Sequence, residues 1–152
     1  MSNFRAKASS STRLVAGIDP TTVDGLSRAF RIGACECLTG AHMLDKDFDN
    51  STGGYILTFH AIELGLKAFL LKQGHSLESL RKKPFGHDLV ELFDAAKKSG
   101  LTLNFEHADE MISWVNEWHS TVMIRYEFTQ HRELPICAEL FTLAHEILDW
   151  SK

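Results

Sequence analysis

Two groups of ionisable side chains have residue types and spacings that could do chemistry. In the first, His60, Glu63 and Lys67 follow one another at intervals of three and four residues within an otherwise apolar stretch. At about 100° per residue, these three positions share one side of a helix. A helix that is apolar on most sides must be largely covered, so we predict that this polar seam is enclosed in a cleft and paired.

The second group is the segment from Arg125 to Arg132, which places two arginines, aromatic side chains and His131 between two predicted helices. An arginine guanidinium matches the geometry of a phosphate group. An imidazole can accept or donate a proton near neutral pH. The segment therefore has the residue types of a site that binds phosphate and moves protons.

Both groups also have an ordinary structural interpretation. Glu63 and Lys67 would form an exposed ion pair one helical turn apart, which contributes roughly a few tenths of a kcal/mol. Arg125 would pair with an acid such as Glu127 in an exposed loop. The residue pattern alone does not decide between these structural roles and the chemical roles.

The patterns of common metal and cofactor sites are absent from the sequence. His60-x-x-Glu63 supplies two potential ligands from a single helix, which is weak support for a metal. Cys35-x-Cys37 has the wrong spacing for a zinc knuckle, and its two thiols would diverge on a helix. There is no glycine-rich phosphate loop. We therefore predict no metal and no cofactor.

The elements that must position these groups all show helical periodicity. Predicted helices cover about residues 22–46, 53–74, 88–100, 105–125 and 135–150, with a short turn at 76–81. No stretch alternates as a strand does. The sequence predicts an all-α fold, an antiparallel bundle of four long helices plus a shorter helix.

Length and composition suggest one domain. The chain has 152 residues, and we predict a flexible N-terminal segment at 1–18 followed by a single helical domain at 19–152. Three cysteines without a secretory signal favour reduced thiols and a cytoplasmic protein, although the Ser-rich, basic start also resembles a mitochondrial targeting peptide. The longest apolar run is interrupted by the seam, so no membrane span is expected. The net charge of −4 argues against a protein that coats nucleic acid.

Three stretches of the sequence together resemble the HEPN family (higher eukaryotes and prokaryotes nucleotide-binding domains). They are the run Phe59–Leu71, FHAIELGLKAFLL, the run Phe85–Leu89, FGHDL, and the Arg-x5-His motif formed by Arg125 and His131. The resemblance covers about residues 20–150. Many members are metal-independent ribonucleases, often in toxin-antitoxin or antiviral systems, and commonly work as homodimers whose two motifs face one cleft.

The resemblance implies that Arg125 and His131 are catalytic. The side chains that would bind substrate or support them are His60, Glu63, Lys67 and His87. Implied partners are a second copy of the chain, RNA or a nucleotide, and a protein such as an antitoxin, with no membrane.

The chain departs from the active pattern of the family at three positions. Tyr126 follows the motif arginine, Glu127 adds a negative charge, and Pro135 comes after His131. The family also includes members that have lost nuclease activity. The alternative is therefore a non-catalytic helical module for dimerisation or protein interaction, which the acidic C-terminal third also favours.

Overall fold

The computed structural model of the chain describes residues 18–121 and 134–152. This part of the chain contains six α-helices and no β-strand, which confirms the all-α class. The helices are α1 (Val23–Asp47), α2 (Thr52–Lys72), α3 (Leu77–Arg81), α4 (Leu89–Lys98), α5 (Ala108–His119) and α6 (Cys137–Trp150).

Helix α2 is the centre of the fold. Two thirds of its residues are buried, including Phe59, Ile62, Leu66 and Leu70, which are fully enclosed. It packs against α1 most extensively and also against α4, α5 and α6. By length and composition α2 could cross a membrane, but 78% of its most apolar window is buried inside the protein, as in the core helix of a soluble protein.

Helices α1 and α2 form an antiparallel pair. The Ser27 hydroxyl donates to the Ala68 carbonyl oxygen at 2.7 Å. Gly33 and Gly40 do not loosen α1, which is uninterrupted. A Cβ added at Gly40 would lie 3.2 Å from a methyl of Leu57, so the glycines allow α2 to approach closely.

Helix α6 runs parallel to α2. A Cβ added at Gly65 of α2 would lie 3.0 Å from a methyl of Ile147, near the end of α6. Near the start of both helices, the Tyr55 hydroxyl donates to the Pro135 carbonyl oxygen at 2.7 Å. Helix α6 begins at Cys137, two residues later than the start predicted at Pro135.

Polar side chains cap the starts of four of the six described helices. Thr22, Ser51 and Ser76 each accept a hydrogen bond from a backbone amide in the first turn of the helix that follows. Asp88 accepts the amides of Val90 and Glu91 and caps α4 as its sequence predicts.

Helix α5 begins at Ala108, three residues later than predicted. The Glu146 carboxylate of α6 accepts the amides of Asn104 and Phe105, which holds this stretch outside the helix. His107 then adopts the left-handed conformation, with φ of 61°. The predicted end of this helix at Arg125 lies outside the described residues.

Candidate functional site

The Glu63 carboxylate lies in the middle of α2 and is almost fully buried, with a relative exposure of 2%. Lys67, one turn later, is 6% exposed and donates from Nζ to Oε1 of Glu63 at 2.6 Å. The interpretation of this pair as an exposed surface ion pair is therefore wrong. The predicted enclosure of the seam is confirmed for these two residues.

His119, the last residue of α5, also reaches this carboxylate. Its Nε2 lies 2.6 Å from Oε2 of Glu63, and the residue is 9% exposed. We did not identify His119 from the sequence. The sequence signal is its position on the apolar face of α5, because His119 follows Val115 by four residues and Val115 follows Ile112 by three. A polar group buried on such a face needs a partner.

His87 approaches the same carboxylate from the loop before α4. Its Nδ1 lies 3.1 and 3.2 Å from the two oxygens of Glu63, while its side chain is 71% exposed. The Asp88 cap and a tight turn position it, since the amide of Asp88 donates to the Phe85 carbonyl oxygen at 2.6 Å. We call Glu63, Lys67, His87 and His119 the Glu63 cluster.

His60 lies at the rim of this cluster. Its Nδ1 is 3.9 Å from Oε2 of Glu63, beyond the hydrogen-bonding distances of His87 and His119, and its side chain is 46% exposed. Its predicted enclosure is therefore only partial.

The Glu63 cluster favours an ionised carboxylate. Burial alone would raise the pKa of the Glu63 carboxyl. The hydrogen bonds from His119 and Lys67, and the charge of the Lys67 ammonium, outweigh that effect and hold the pKa well below its usual value. A hydrogen bond to this anion requires each imidazole to donate from the nitrogen that faces it. His87 would then carry its proton on Nδ1 and leave Nε2 as an acceptor.

An open cleft of about 490 Å³ adjoins the cluster, and we call it the His87 cleft. The residues that line it are Arg81, Lys83, Pro84, Phe85, Gly86, His87, Asp88, Glu91 and Ser120. His87 belongs to both the cleft and the cluster. It therefore connects the buried anion with a solvent-accessible surface that carries two cations and two acids.

Three side chains of the cluster also have the chemistry of metal ligands. Glu63, His87 and His119 each offer one ligand atom, and these atoms lie within 4.8 Å of one another. Sequence spacing alone does not reveal this set, because the residues come from α2, a loop and the end of α5.

The predicted catalytic residues Arg125 and His131 lie outside the described residues, so their geometry remains a prediction. In the sequence, Arg125 follows His119 by six residues. The structure brings together the supporting residues Glu63, Lys67 and His87, and leaves His60 at the edge. Comparison of the chain with protein-family models, curated proteins and solved structures gave no match.

Proposed function

We propose that the protein is a HEPN-like bundle of four long helices and a shorter one that binds RNA or nucleotide phosphate and cleaves RNA without a metal. The observation that carries this proposal is the Glu63 cluster at the wall of the His87 cleft. A buried ionisable group with a strongly shifted pKa and specific charge partners beside a cleft is a candidate functional site. The resemblance of the three sequence stretches supplies the reaction class.

The His87 cleft suits part of a single strand better than a duplex. Its volume of about 490 Å³ is in the range of small-ligand pockets. Arg81 and Lys83 are exposed and can contact phosphate, and Phe85 offers an aromatic face to a base. Asp88 is occupied as a helix cap, which leaves Glu91 as the other acid that lines the cleft. We infer that this cleft holds one or two nucleotides.

The chemistry would be transfer of the phosphate to the neighbouring 2′-hydroxyl. That oxygen loses its proton and attacks phosphorus, while the bond to the 5′-oxygen breaks and that oxygen gains a proton. The products are a 2′,3′-cyclic phosphate and a 5′-hydroxyl. His131 would move the protons, and Arg125 would stabilise charge on the pentavalent phosphate. His60, Glu63, Lys67 and His87 would bind the strand or support the catalytic pair.

The test separates binding from cleavage. A fluorescent mixed-sequence RNA is incubated with the protein in EDTA, and both binding and product formation are measured. We expect Arg125→Ala and His131→Ala each to lower the cleavage rate by roughly a hundredfold to a thousandfold. Arg28→Ala and His145→Ala, which remove an exposed arginine and an exposed histidine elsewhere, are the matched controls.

Two results would contradict the proposal. If the wild-type protein neither binds nor cleaves RNA, the domain is not an RNA-binding HEPN-like module. If Arg125→Ala folds normally and cleaves at the parent rate, the assignment of the catalytic residues is wrong.

A second candidate function is a helical module for dimerisation or protein interaction. Among the described residues, the large apolar side chains that are most exposed all belong to α1, α6 or their capping residues. They are Val23, Met43, Phe48, Ile136 and Trp150. Such a surface suits a second copy of the chain or a protein partner such as an antitoxin. Light scattering at micromolar concentration is expected to give the mass of a dimer, and a monomer mass would refute self-association.

A further inference from the structure

We infer that Glu63, His87 and His119 form a binding site for a divalent transition-metal ion, with zinc as the first choice. This site goes beyond the proposed function, because the ion is not a reactant in the cleavage described above. The inference rests on the positions of three side-chain atoms and on the surroundings of each.

The three ligand atoms lie within 4.8 Å of one another, close enough to share an ion after a small rearrangement. Neighbouring ligands at metal bonds of about 2.1 Å are roughly 3.0–3.4 Å apart in octahedral or tetrahedral geometry. In the cluster, Oε2 of Glu63 lies 2.6 Å from Nε2 of His119 and 3.1 Å from Nδ1 of His87. An ion placed between these atoms would replace both hydrogen bonds, after each imidazole loses the proton on the nitrogen that faces Glu63 and shifts slightly away from the carboxylate.

The carboxylate is oriented in the way that a metal ligand requires. Lys67 binds Oε1 of Glu63 and His119 faces Oε2, while His87 lies 3.2 and 3.1 Å from the two oxygens, so Oε2 is the atom that both histidines can share with an ion. Ligating carboxylates in metalloproteins are usually held by such an outer hydrogen bond. Glu63 and His119 are also buried, so the site is largely formed before any ion arrives.

The third ligand leaves the ion accessible from solvent. The His87 side chain is 71% exposed and lines the His87 cleft, where Ser120 and Asp88 are its neighbours. Three protein ligands with water in the remaining positions are typical of an open metal site. Two imidazoles and one carboxylate suit Zn²⁺, Co²⁺, Mn²⁺ or Fe²⁺ better than Mg²⁺ or Ca²⁺, which prefer oxygen ligands throughout.

Titration of the chelator-treated full chain with zinc, without RNA, tests the site directly. Calorimetry is expected to give one bound ion per chain, and cobalt is expected to give the visible absorption of a nitrogen- and oxygen-coordinated ion. His87→Gln should weaken zinc affinity by more than about tenfold, since even the loss of an outer partner of a ligand costs that much. Because His87 is mostly exposed, this variant should fold normally; His119→Gln is the second test.

The matched control is His42→Gln. The Nε2 atoms of His42 and His145 face each other at 3.1 Å on the exposed surface of α1 and α6, and among the described residues no third His, Cys, Asp or Glu completes a metal-ligand group with them. Unchanged zinc affinity in His42→Gln, together with loss in His87→Gln, supports the site. The inference is overturned if the wild-type chain binds no zinc, or if folded His87→Gln binds as tightly as the parent. Either result leaves the RNA assay, run in EDTA, unaffected.

Discussion

Replacing Lys67 with methionine removes the ammonium that neutralises Glu63 while keeping the length of the side chain. The two side chains are 7% and 3% exposed, so water cannot replace the lost partner. Removing one member of a buried ion pair typically costs about 3–5 kcal/mol, because the other charge remains buried. His119 and His87 still donate to Glu63, so we expect the lower end, a loss of about 3 kcal/mol in the free energy of unfolding.

Urea denaturation followed by circular dichroism, at pH 8 and in chelator, measures this loss. The matched control is Lys82→Met on α3, which breaks the Lys82–Glu78 pair. That pair has the same spacing, but its side chains are 68% and 77% exposed. Surface pairs of this kind contribute about 0–1 kcal/mol, so the control should be close to neutral.

The double variant Glu63→Leu/Lys67→Met separates the charge from the packing. It removes both charges and leaves mainly His119 without its acceptor, which should cost about 1–3 kcal/mol. Glu63→Leu alone leaves the Lys67 charge buried and unpaired, and should also cost about 3 kcal/mol or more. The double variant should therefore be more stable than the sum of the two single variants predicts, with a coupling of at least about 3 kcal/mol. A loss below about 1 kcal/mol for Lys67→Met, or purely additive effects, would refute the view that Glu63 is a buried, ionised carboxylate.

Two further predictions concern packing and thiol reactivity. Gly65→Ala should lower the free energy of unfolding by about 1–3 kcal/mol in thermal unfolding, because its Cβ would lie 3.0 Å from an isoleucine methyl of α6. The control Gly33→Ala meets only a leucine methyl at 3.3 Å and should be nearly neutral. Equal losses in the two variants would contradict the predicted clash at Gly65. Burial raises the pKa of the Cys137 thiol to about 12, so the native protein at pH 8 should be alkylated at Cys35 first and at Cys137 only after denaturation. Rapid labelling of native Cys137, read by peptide mass spectrometry, would show that its thiol is accessible.

The helices could be predicted from sequence because their signals are local. Apolar periodicity located α1 and α2, and the side chains of Thr22 and Asp88 marked helix starts within three residues of the amides they bind. The start of α5 was predicted too early, because the Glu146 carboxylate that holds the preceding amides is about forty residues away in the chain. Local pattern carries no information about such a contact.

The candidate site likewise combines a local contact, which the sequence indicated, with contacts between distant residues, which it did not. Glu63 and Lys67 were found because they lie one turn apart on a single helix. His119 is 56 residues from Glu63, and only the packing of α5 against α2 brings the two together. His87 was identified through a sequence resemblance, whereas its contact with Glu63 depends on the turn before α4. The three proposed metal ligands therefore could not be grouped from the sequence.

Helix α2 also fixes the boundaries of the segment that carries Arg125 and His131. Its Glu63 holds His119 on one side of that segment, and its Tyr55 holds Pro135 on the other. These two attachment points are eight residues apart on one continuous helix, a separation of about 12 Å along its axis. The residues on the two sides of the Arg-x5-His motif are therefore both attached to the same helix. Sliding or tilting of α1 or α4, which carry neither flank, would leave the distance between the two attachment points unchanged.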